Sequence, residues 1–393
     1  MYTERLYQIE DEIGKTAERV CTEVFAHPEP GDAEIWSSAF LADEAERIGF
    51  SVTRSYLGLP TSFRADFGDE DGPTIAFLAE YDALPGYGES GKEYGHACGH
   101  NWIAGSTYAA AAALKKLKEE TGFRGRISWI GTPAEETNNR KITLIERGAF
   151  RNVDAVFQMH LGWETTVHTT ALACAVLHYE FEGKAAHASA APETGINALD
   201  AVMLTFAGIN CLRQHVTPDV RIHGVVRDGG QAPNVVPDHA SMEVYIRAAD
   251  KDYLEEVIEK AGNCAKGAAM MTGAKAKILR DETTTYDIRN HPGLAKMLEK
   301  HLTELGETPV IPKKTMTGST DIGNVTYEVP TAYAIMGTSE FSGARTHEAE
   351  FLTVADSGYA HRKLHVAAKA MAASALELYL HPGTDAPADH SCL

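Results

Sequence analysis

Four short stretches of this sequence carry side chains that bind metals or transfer protons. The first, GHACGHN, spans residues 95–101 and places Cys98 and His100 one glycine apart in a turn. A thiolate and an imidazole that converge from one turn suit Zn²⁺ best, with Fe²⁺, Co²⁺ and Mn²⁺ as alternatives. A reactive thiol, or a buried structural cysteine beside a surface histidine, would also explain this turn taken alone.

Further acids and histidines lie downstream. Glu135 and Glu136 are adjacent in PAEE, His160 ends VDAVFQMH, and His347 lies in ARTHEAEF. Taken singly, the two acids could simply be the residues that a helix N-terminus favours, and each histidine could be an ordinary packed or solvated side chain. Together with the pair from the glycine turn, they provide enough ligands for two metal ions.

The elements that must position these residues alternate between strands and helices. Apolar runs at 74–82, 126–133 and 153–160 predict buried parallel strands, and the Ala-rich stretch 102–120 predicts a helix with Asn101 as its N-cap. Such alternation predicts an α/β fold with a mostly parallel central sheet and helices on both faces. Chemistry in these sheets gathers beyond the carboxyl ends of the strands. Four side chains lie at or just after predicted strand ends: Asp82, Glu135, Glu136 and His160.

A change of pattern after about residue 170 predicts a second domain. Strands with alternating apolarity, beginning with one at 177–189, and the helices between them predict a small α+β domain with one open sheet face. The α/β pattern returns with TAYAIMG and a final helix at 353–379. We therefore expect a first domain in two parts, 1–169 and 287–393, interrupted by an inserted domain at 170–286.

Composition excludes several classes of function. The chain has 393 residues, 44% of them hydrophobic, and a formal net charge of −19. This acidity makes nucleic acid a poor partner, because phosphate binding draws on clustered Lys and Arg. No window has the roughly 18–20 apolar residues of a membrane span. The amphipathic N-terminus lacks the core of a signal peptide, and the six scattered cysteines lack CxxC spacing. We therefore expect a cytoplasmic protein with free thiols.

Seven stretches occur in the order found in the M20 metallopeptidases. They are AEYDALPG (79–86), GHACGHN (95–101), TPAEE (132–136), QMHLG (158–162), GKAAHAS (183–189), DGGQAPNVVPD (228–238) and THEAEF (346–351). The sequence resembles the amidohydrolase branch of that family, and its motifs are most similar to those of aminobenzoyl-glutamate hydrolases and aminoacylase-like dipeptidases. The match covers nearly the whole chain, including the insert.

The resemblance implies a catalytic domain with two divalent ions per subunit (Mn²⁺, Zn²⁺ or Co²⁺) and an inserted lid domain through which subunits dimerise. Glu135 would be the general base, and Asp82 would orient the metal ligands. His187 and Asn234, both in the lid, match residues that stabilise the tetrahedral intermediate. The implied metal ligands are Cys98, His100, Glu136, His160 and His347.

Two side chains of the second half are candidates for binding substrate. Arg247 ends the strand MEVYIR and could hold a substrate carboxylate through two parallel hydrogen bonds, although an Arg at a strand end is often only a surface ion-pair partner. Ser319 in TGSTDIG could line the same pocket or belong to a plain turn.

Two positions depart from the family pattern. Glu80 stands where most M20 peptidases have a histidine ligand, a histidine that the thiolate branch generally lacks. Asn101 follows His100 where the branch commonly has aspartate. The second departure resembles the aminobenzoyl-glutamate hydrolases and their dipeptidase-like relatives, and it favours aryl-amide or dipeptide-like substrates over plant-hormone conjugates.

The sequence therefore predicts a homodimeric, metal-dependent amidohydrolase that cleaves the amide bond of an N-acyl or aryl amino acid, or of a dipeptide-like molecule, with metal-activated water. Its partner would be a small amide that carries a carboxylate, with no nucleic acid and no membrane. An aminohydrolase that deaminates an aromatic amine at the same site is the main alternative.

Other classes of function compete with these two. A cysteine hydrolase would use Cys98 as nucleophile and His100 as base. A zinc nucleoside deaminase is disfavoured because no PCxxC follows the acid. A non-catalytic binding protein is disfavoured because Glu135 and all the implied ligands are present.

Overall fold

The computed structural model describes residues 2–69, 71–313 and 318–382, and the chain divides into two units. The first unit contains the described residues of 1–170, 288–316 and 320–393, and the second contains those of 171–287 and 317–319. Each unit has a sheet and a hydrophobic core of its own. Ser319 therefore belongs to the second unit, although the sequence predicted that all residues from 287 onward belong to the first domain.

A six-stranded sheet forms the centre of the first unit. Its strands are β1 (Ser51–Arg54), β2 (Phe63–Gly68), β3 (Thr74–Ala79), β6 (Arg126–Gly131), β7 (Ala155–Gly162) and β12 (Thr331–Gly337). In space they follow the order β1-β2-β6-β3-β7-β12. The last four are parallel, and β1 and β2 pair antiparallel at one edge. The predicted mostly parallel sheet is confirmed. A separate ribbon of β4 (Leu84–Tyr87) and β5 (Glu93–Gly95) follows β3 in the chain.

Both faces of this sheet are covered. The helices of the unit are α1 (Tyr2–Ala26), α2 (Ile35–Arg47), α3 (His100–Thr121), α4 (Arg140–Glu146), α7 (Pro292–Glu304), α8 (Ile322–Val325), α9 (Leu352–Ala355) and α10 (Gly358–Leu380). Ile75 and Phe77 of β3 share one core with α1, α3 and α10, whereas Ala76 and Leu78 share another with α4 and α8. Burial on both sides explains why β3 reads as a continuous apolar run.

The second unit is a four-stranded antiparallel sheet with two helices. Its strands are β8 (Ala173–Glu182), β9 (Arg221–Asp228), β10 (His239–Ala248) and β11 (Lys275–Arg280), in the spatial order β11-β8-β10-β9. Helices α5 (Ala198–Leu212) and α6 (Lys251–Thr272) pack against each other and against this sheet. Every second residue of β10 is buried, as expected of a sheet covered on one face.

Several predicted boundaries differ from the structure, and three of them do so for identifiable reasons. The strand predicted over 177–189 ends at Glu182, because β10 begins at His239, opposite Glu182, and Lys184 pairs instead with Ile196 in an isolated bridge. The helix predicted over 353–379 is broken between α9 and α10, where the Ser357 hydroxyl caps α10 by accepting from the Ala360 N–H.

The third wrong boundary concerns Asn101, which is not an N-cap. Helix α3 begins at His100 and is preceded by Gly99 with a φ of 85°, a left-handed conformation that glycine adopts without strain. Asn101 lies within the first turn, where its side-chain amide donates to Cys21 Sγ at 3.2 Å and to the Ala355 carbonyl at 3.1 Å. Among the described residues, no helix combines the length and the apolarity that crossing a bilayer requires.

The close contact of α3 with α1 and α10 at Gly105 leads to a prediction about stability. A Cβ on Gly105 of α3 would lie 2.8 Å from Cys21 Cβ and 2.8 Å from Leu364 Cδ1. We expect Gly105→Ala to lower the free energy of unfolding by about 1–3 kcal/mol through overpacking, despite the better helix propensity of alanine. Urea unfolding followed by circular dichroism measures this change.

Gly267 in α6 is the matched control, because a Cβ there meets nothing within 4 Å. Gly267→Ala should raise stability by about 0.5–1 kcal/mol. Equal effects of the two substitutions would contradict the close packing of α1, α3 and α10.

Candidate metal centre

The candidate ligands lie where β3, β6 and β7 end and where α3 begins. Cys98 occupies the turn before α3, and His100 is the first residue of that helix. His160 lies within β7, which continues to Gly162, so the strand runs two residues further than the sequence predicted. Glu136 follows β6 in the loop that leads to α4. Because these parallel strands end at one edge of the sheet, their side chains can meet there.

The structure brings the predicted ligands together. Cys98 Sγ lies 3.4 Å from His160 Nε2, and Glu136 Oε1 lies 3.1 Å from His347 Nε2 and 4.0 Å from His100 Nε2. These side chains form three groups of three residues. Within each group, every residue offers one ligand atom, and the three atoms lie within 4.8 Å of one another. The groups are Cys98, His100 and His160; Cys98, Glu136 and His347; and His100, Glu135 and Glu136.

Asp82 connects two of these ligands. Its Oδ1 lies 2.8 Å from His100 Nδ1, and its Oδ2 accepts a hydrogen bond from the Glu136 N–H at 2.9 Å. Asp82 is 1% exposed, and although burial opposes its charge, His100 lowers its pKa. An ionised Asp82 holds the proton of His100 on Nδ1 and leaves Nε2 as the free ring nitrogen.

Two buried polar atoms at this site fit a cation. His100 Nε2 and Glu136 Oε1 are buried and make no hydrogen bond within the described part of the chain. Buried polar atoms are nearly always hydrogen-bonded, whereas these two have only ion-pair contacts, from Glu136 Oε1 to His347 Nε2 and from His100 Nε2 to Glu80 Oε2, so both suit a bound cation. His160 adds a third donor atom, because its Nδ1 lies against the Leu161 carbonyl and its Nε2 faces Cys98. The donor set of one thiol, three imidazoles and carboxylate therefore fits divalent metal ions.

Two non-glycine residues at the site have left-handed backbone conformations. His347 has a φ of 74° and Ala134, next to Glu135, has a φ of 55°. The His347 N–H donates to the Ala97 carbonyl at 2.8 Å, and its own carbonyl accepts from the Tyr87 hydroxyl at 2.9 Å. The Ala134 N–H donates to the buried Glu34 carboxylate at 2.7 Å. Strained backbone of this kind persists only where surrounding contacts enforce it.

The electrostatics separate the two adjacent acids. Burial, followed by the neighbouring carboxylates of Glu136 and Glu80, raises the pKa of Glu135 well above its usual value. Burial opposes the charge of Glu136 too, but His347 and His100 lower its pKa. One acid thus favours its ionised form, as a metal ligand must, and the other favours taking up a proton.

The same field disfavours Cys98 as a free nucleophile. Burial and then the Glu136 carboxylate raise the pKa of its thiol well above the usual value. Activated cysteines lie instead in electropositive surroundings that lower the thiol pKa. Cations bound among these carboxylates would favour the thiolate as a ligand.

Sequence reasoning missed three buried residues behind this cluster. Lys141 Nζ lies 2.6 Å from Glu80 Oε1 and 2.6 Å from Asp321 Oδ1, and Gln158 Nε2 donates to Glu80 Oε1 at 2.7 Å. Lys141 lies in the first turn of α4, where a lysine normally faces solvent. No local signal marks it as buried, since its partners come from distant parts of the chain.

The remaining predicted residues belong to the second unit. His187 and Asn234 are neighbours, because the Ala188 N–H donates to the Asn234 carbonyl at 3.1 Å and His187 pairs with Val235 in an isolated bridge. Both side chains are exposed.

Arg247 and Ser319 are in direct contact. Arg247 Nη1 donates to Ser319 Oγ at 2.6 Å, and the Ser319 hydroxyl donates to the Leu172 carbonyl at 2.7 Å. Ser319, which lies far along the chain from the rest of the second unit, thereby places its hydroxyl beside the Arg247 guanidinium.

Comparison with known proteins identifies the family of this chain. The sequence model of peptidase family M20/M25/M40 matches residues 76–373 of this chain. An Xaa-Arg dipeptidase of Mus musculus is 34% identical over 375 residues, which cover 88% of this chain and 84% of that protein. One subunit of the p-aminobenzoyl-glutamate hydrolase of Escherichia coli K12 is 29% identical, over 95% of this chain and 92% of its own length.

A solved structure supports the fold. The crystal structure of a Bacillus subtilis protein described as a dinuclear metal-binding peptidase of the M20 family matches with a TM-score of 0.69 at 23% identity, over 91% of this chain and 98% of that one. The family match spans most of the chain, and the mouse relative is similar over almost the same extent. The chain therefore belongs to peptidase family M20/M25/M40 and is a metallo-amidohydrolase, as the order of its motifs predicts.

Proposed function

We propose that this enzyme uses two divalent metal ions to hydrolyse an amide bond beside a free carboxylate, in N-acyl or aryl amino acids and dipeptide-like molecules. The observation that carries the proposal is the cluster of donors around His100 Nε2 and Glu136 Oε1, two buried atoms that make no hydrogen bond in the described part of the chain. The proposed metal ligands are Cys98, His100, Glu136, His160 and His347.

One feature of the cluster supports two ions. Cys98 belongs to two of the three ligand groups, once with His100 and His160 and once with Glu136 and His347. A thiolate shared by both groups suits a pair of ions. The mixed sulfur, nitrogen and oxygen donors suit Zn²⁺, Co²⁺ or Mn²⁺.

Glu135 is the proposed general base. Divalent ions, when bound, acidify water and polarise the scissile carbonyl. Glu135 takes a proton from the attacking water, whose oxygen forms the new bond to the carbonyl carbon, and delivers that proton to the leaving nitrogen as the amide bond breaks. Asp82 keeps His100 in the tautomer that the site requires.

The second unit supplies the proposed contacts to substrate. Arg247, with the Ser319 hydroxyl beside it, binds the substrate carboxylate. His187 and Asn234 stabilise the negative charge that develops on the carbonyl oxygen. The substrates for which the two relatives are named, Xaa-Arg dipeptides and p-aminobenzoyl-glutamate, both carry a carboxylate beside the amide.

We also propose that the enzyme is a cytoplasmic homodimer formed through the second unit. Strand β9 is the edge of its sheet, and Val225 and Val226 on it are 51% and 48% exposed. Exposed apolar edge strands pair readily with a second chain. A reducing compartment suits an enzyme that needs Cys98 as a thiolate.

The first prediction tests the base. Glu135→Gln should lower kcat by about 10²–10⁴-fold, because the amide cannot accept the proton of the attacking water. Bound metal should stay at the wild-type ratio, since Glu136 remains. The assay combines kcat on a panel of N-acyl, N-aroyl and dipeptide substrates with metal analysis. Glu146→Gln, at an exposed position of α4, is the control; near-wild-type kcat in the Glu135 variant would refute the assignment.

The second prediction separates metal catalysis from a cysteine nucleophile. Removal of metal with EDTA should abolish activity, and Mn²⁺, Co²⁺ or Zn²⁺ should restore it, because the proposed chemistry requires activated water. Activity that survives complete metal removal, confirmed by metal analysis, would instead support Cys98 as the nucleophile. Measuring ammonia from aromatic amines in the same panel tests the aminohydrolase alternative.

The third prediction concerns the substrate carboxylate. Arg247→Met should raise KM by about 10–100-fold with a smaller change in kcat, because it removes charge-assisted hydrogen bonds. Ser319→Ala should act in the same direction but less strongly. The matching control is a substrate whose carboxylate is replaced by a carboxamide. If Arg247→Met slows both substrates equally, the arginine does not recognise the carboxylate.

A further inference from the structure

A fully buried lysine lies behind the candidate metal ligands. Lys141 is 0% exposed, and its ammonium lies between Glu80 Oε1 and Asp321 Oδ1, at 2.6 Å from each. The Lys141 N–H also donates to Asp321 Oδ2 at 3.0 Å, so both oxygens of that carboxylate are occupied. A lysine is buried at tolerable cost only when carboxylates replace its hydration, so this arrangement is fixed on both sides.

Glu80 has one oxygen in this network and the other directed toward the ligands. Its Oε1 receives the Lys141 ammonium and the Gln158 amide, the latter at 2.7 Å. Its Oε2 lies 3.4 Å from His100 Nε2. That nitrogen makes no hydrogen bond within the described residues, so the contact with Glu80 is an approach of two polar atoms without a hydrogen bond.

The distance between these atoms matches that between two ligands of one ion. Atoms that each bind a metal at about 2.0–2.2 Å lie about 3–3.5 Å apart in tetrahedral or octahedral geometry. Glu80 Oε2 and His100 Nε2 are 3.4 Å apart, and so are Cys98 Sγ and His160 Nε2. By this one distance Glu80 is placed as the motif residues are, although it belongs to none of the three groups whose ligand atoms all lie within 4.8 Å of one another.

We propose that Glu80 supplies a further carboxylate ligand to the metal centre and that Lys141 is the positioning residue that holds it there. This inference rests on the proposed two-metal function. Lys141 and Gln158 together fix one oxygen of Glu80, so the second oxygen keeps its direction without loss of rotamer freedom on binding. The lysine also offsets part of the charge of three neighbouring acids: Asp321, Glu80 and Glu135.

The direct test measures metal binding by apo-protein rather than activity. Glu80→Gln keeps the size of the side chain and a carbonyl oxygen for Lys141 but removes the anionic ligand. We expect Co²⁺ and Zn²⁺ to bind to one of two sites at least about 10-fold more weakly, measured by competition with a chromophoric chelator. We also expect the Co²⁺ d–d absorption bands of that site to shift, because its set of ligands changes.

Two control variants separate a ligand from a distant charge. Asp321→Asn removes a carboxylate that also pairs with Lys141 but does not contact His100 in the described structure. Glu10→Gln removes a fully buried glutamate that pairs with His365 and Lys369, a similar trio formed by α1 and α10. Neither should shift the Co²⁺ bands. If Asp321→Asn shifts them as much as Glu80→Gln does, or if Glu80→Gln leaves them unchanged, Glu80 is not a ligand.

Lys141→Met tests the positioning role, because the two possible roles of the lysine change the metal affinity in opposite directions. Removing a cation beside a metal site tightens metal binding if only its charge matters. If Lys141 holds Glu80 in place, the same ion binds more weakly despite the lost repulsion, which is the result we expect. Tighter binding would overturn the positioning role. If Lys141→Met does not fold, as shown by its melting curve, Gln158→Leu replaces it, since that variant removes the other donor to Glu80 and should weaken the same ion.

Failure of this inference is distinct from failure of the proposed function. A wild-type protein that binds no divalent ion would refute both. A wild-type protein that binds two ions, together with a Glu80→Gln variant of unchanged affinity and spectrum, would refute only the role of Glu80.

Discussion

The hydrogen bonds of one buried carboxylate determine the geometry of this site. Asp82 follows β3, holds the imidazole at the start of α3 through Oδ1, and receives the backbone of the loop after β6 through Oδ2. Three elements that are far apart in the sequence are thereby fixed relative to one another. Without an ionised Asp82, only the Asp82 backbone carbonyl, 3.1 Å from Nδ1, would hold the proton of His100 on that nitrogen, and the backbone of Glu136 would lose its anchor. Ligand identity alone would then not make a site.

A second constraint is the concentration of negative charge in a small buried volume. Burial by itself raises the pKa of each acid, and each acid raises that of the next, as it does for Glu135. Lys141 is the fully buried cation that the described chain places among these acids, and it is already shared between Glu80 and Asp321. In the proposed function, divalent ions would supply the remaining positive charge. The same excess of carboxylates that would destabilise an empty site therefore becomes favourable once cations bind, which couples metal binding to the stability of this end of the sheet.

Much of this arrangement could be predicted from the sequence, because it is encoded locally. The apolar run of β3 and the Ala-rich pattern of α3 indicated the correct element types, and the order of the motifs was sufficient to identify the family. The burial of Lys141 could not be predicted, since a lysine in the first turn of a short helix is normally solvated and its two carboxylate partners are remote in sequence. The left-handed conformation of His347 was equally hidden, because it results from hydrogen bonds to Ala97 and Tyr87 that only the folded chain provides. The return of Ser319 to the second unit is likewise a tertiary feature with no sequence pattern of its own.

Asn101 departs from the family pattern, but its side chain contacts other helices. Its amide donates to Cys21 Sγ and to the carbonyl that ends α9, so its described contacts lie between helices rather than among the metal ligands. An aspartate in this conformation would place a buried negative charge 3.1 Å from a carbonyl oxygen and would need a rearranged partner. In this chain the asparagine is therefore tied to how α1 and α9 pack around the start of α3. Specificity for one amide over another must arise from side chains that face the substrate, for which Arg247 and Ser319 are the candidates in contact with each other.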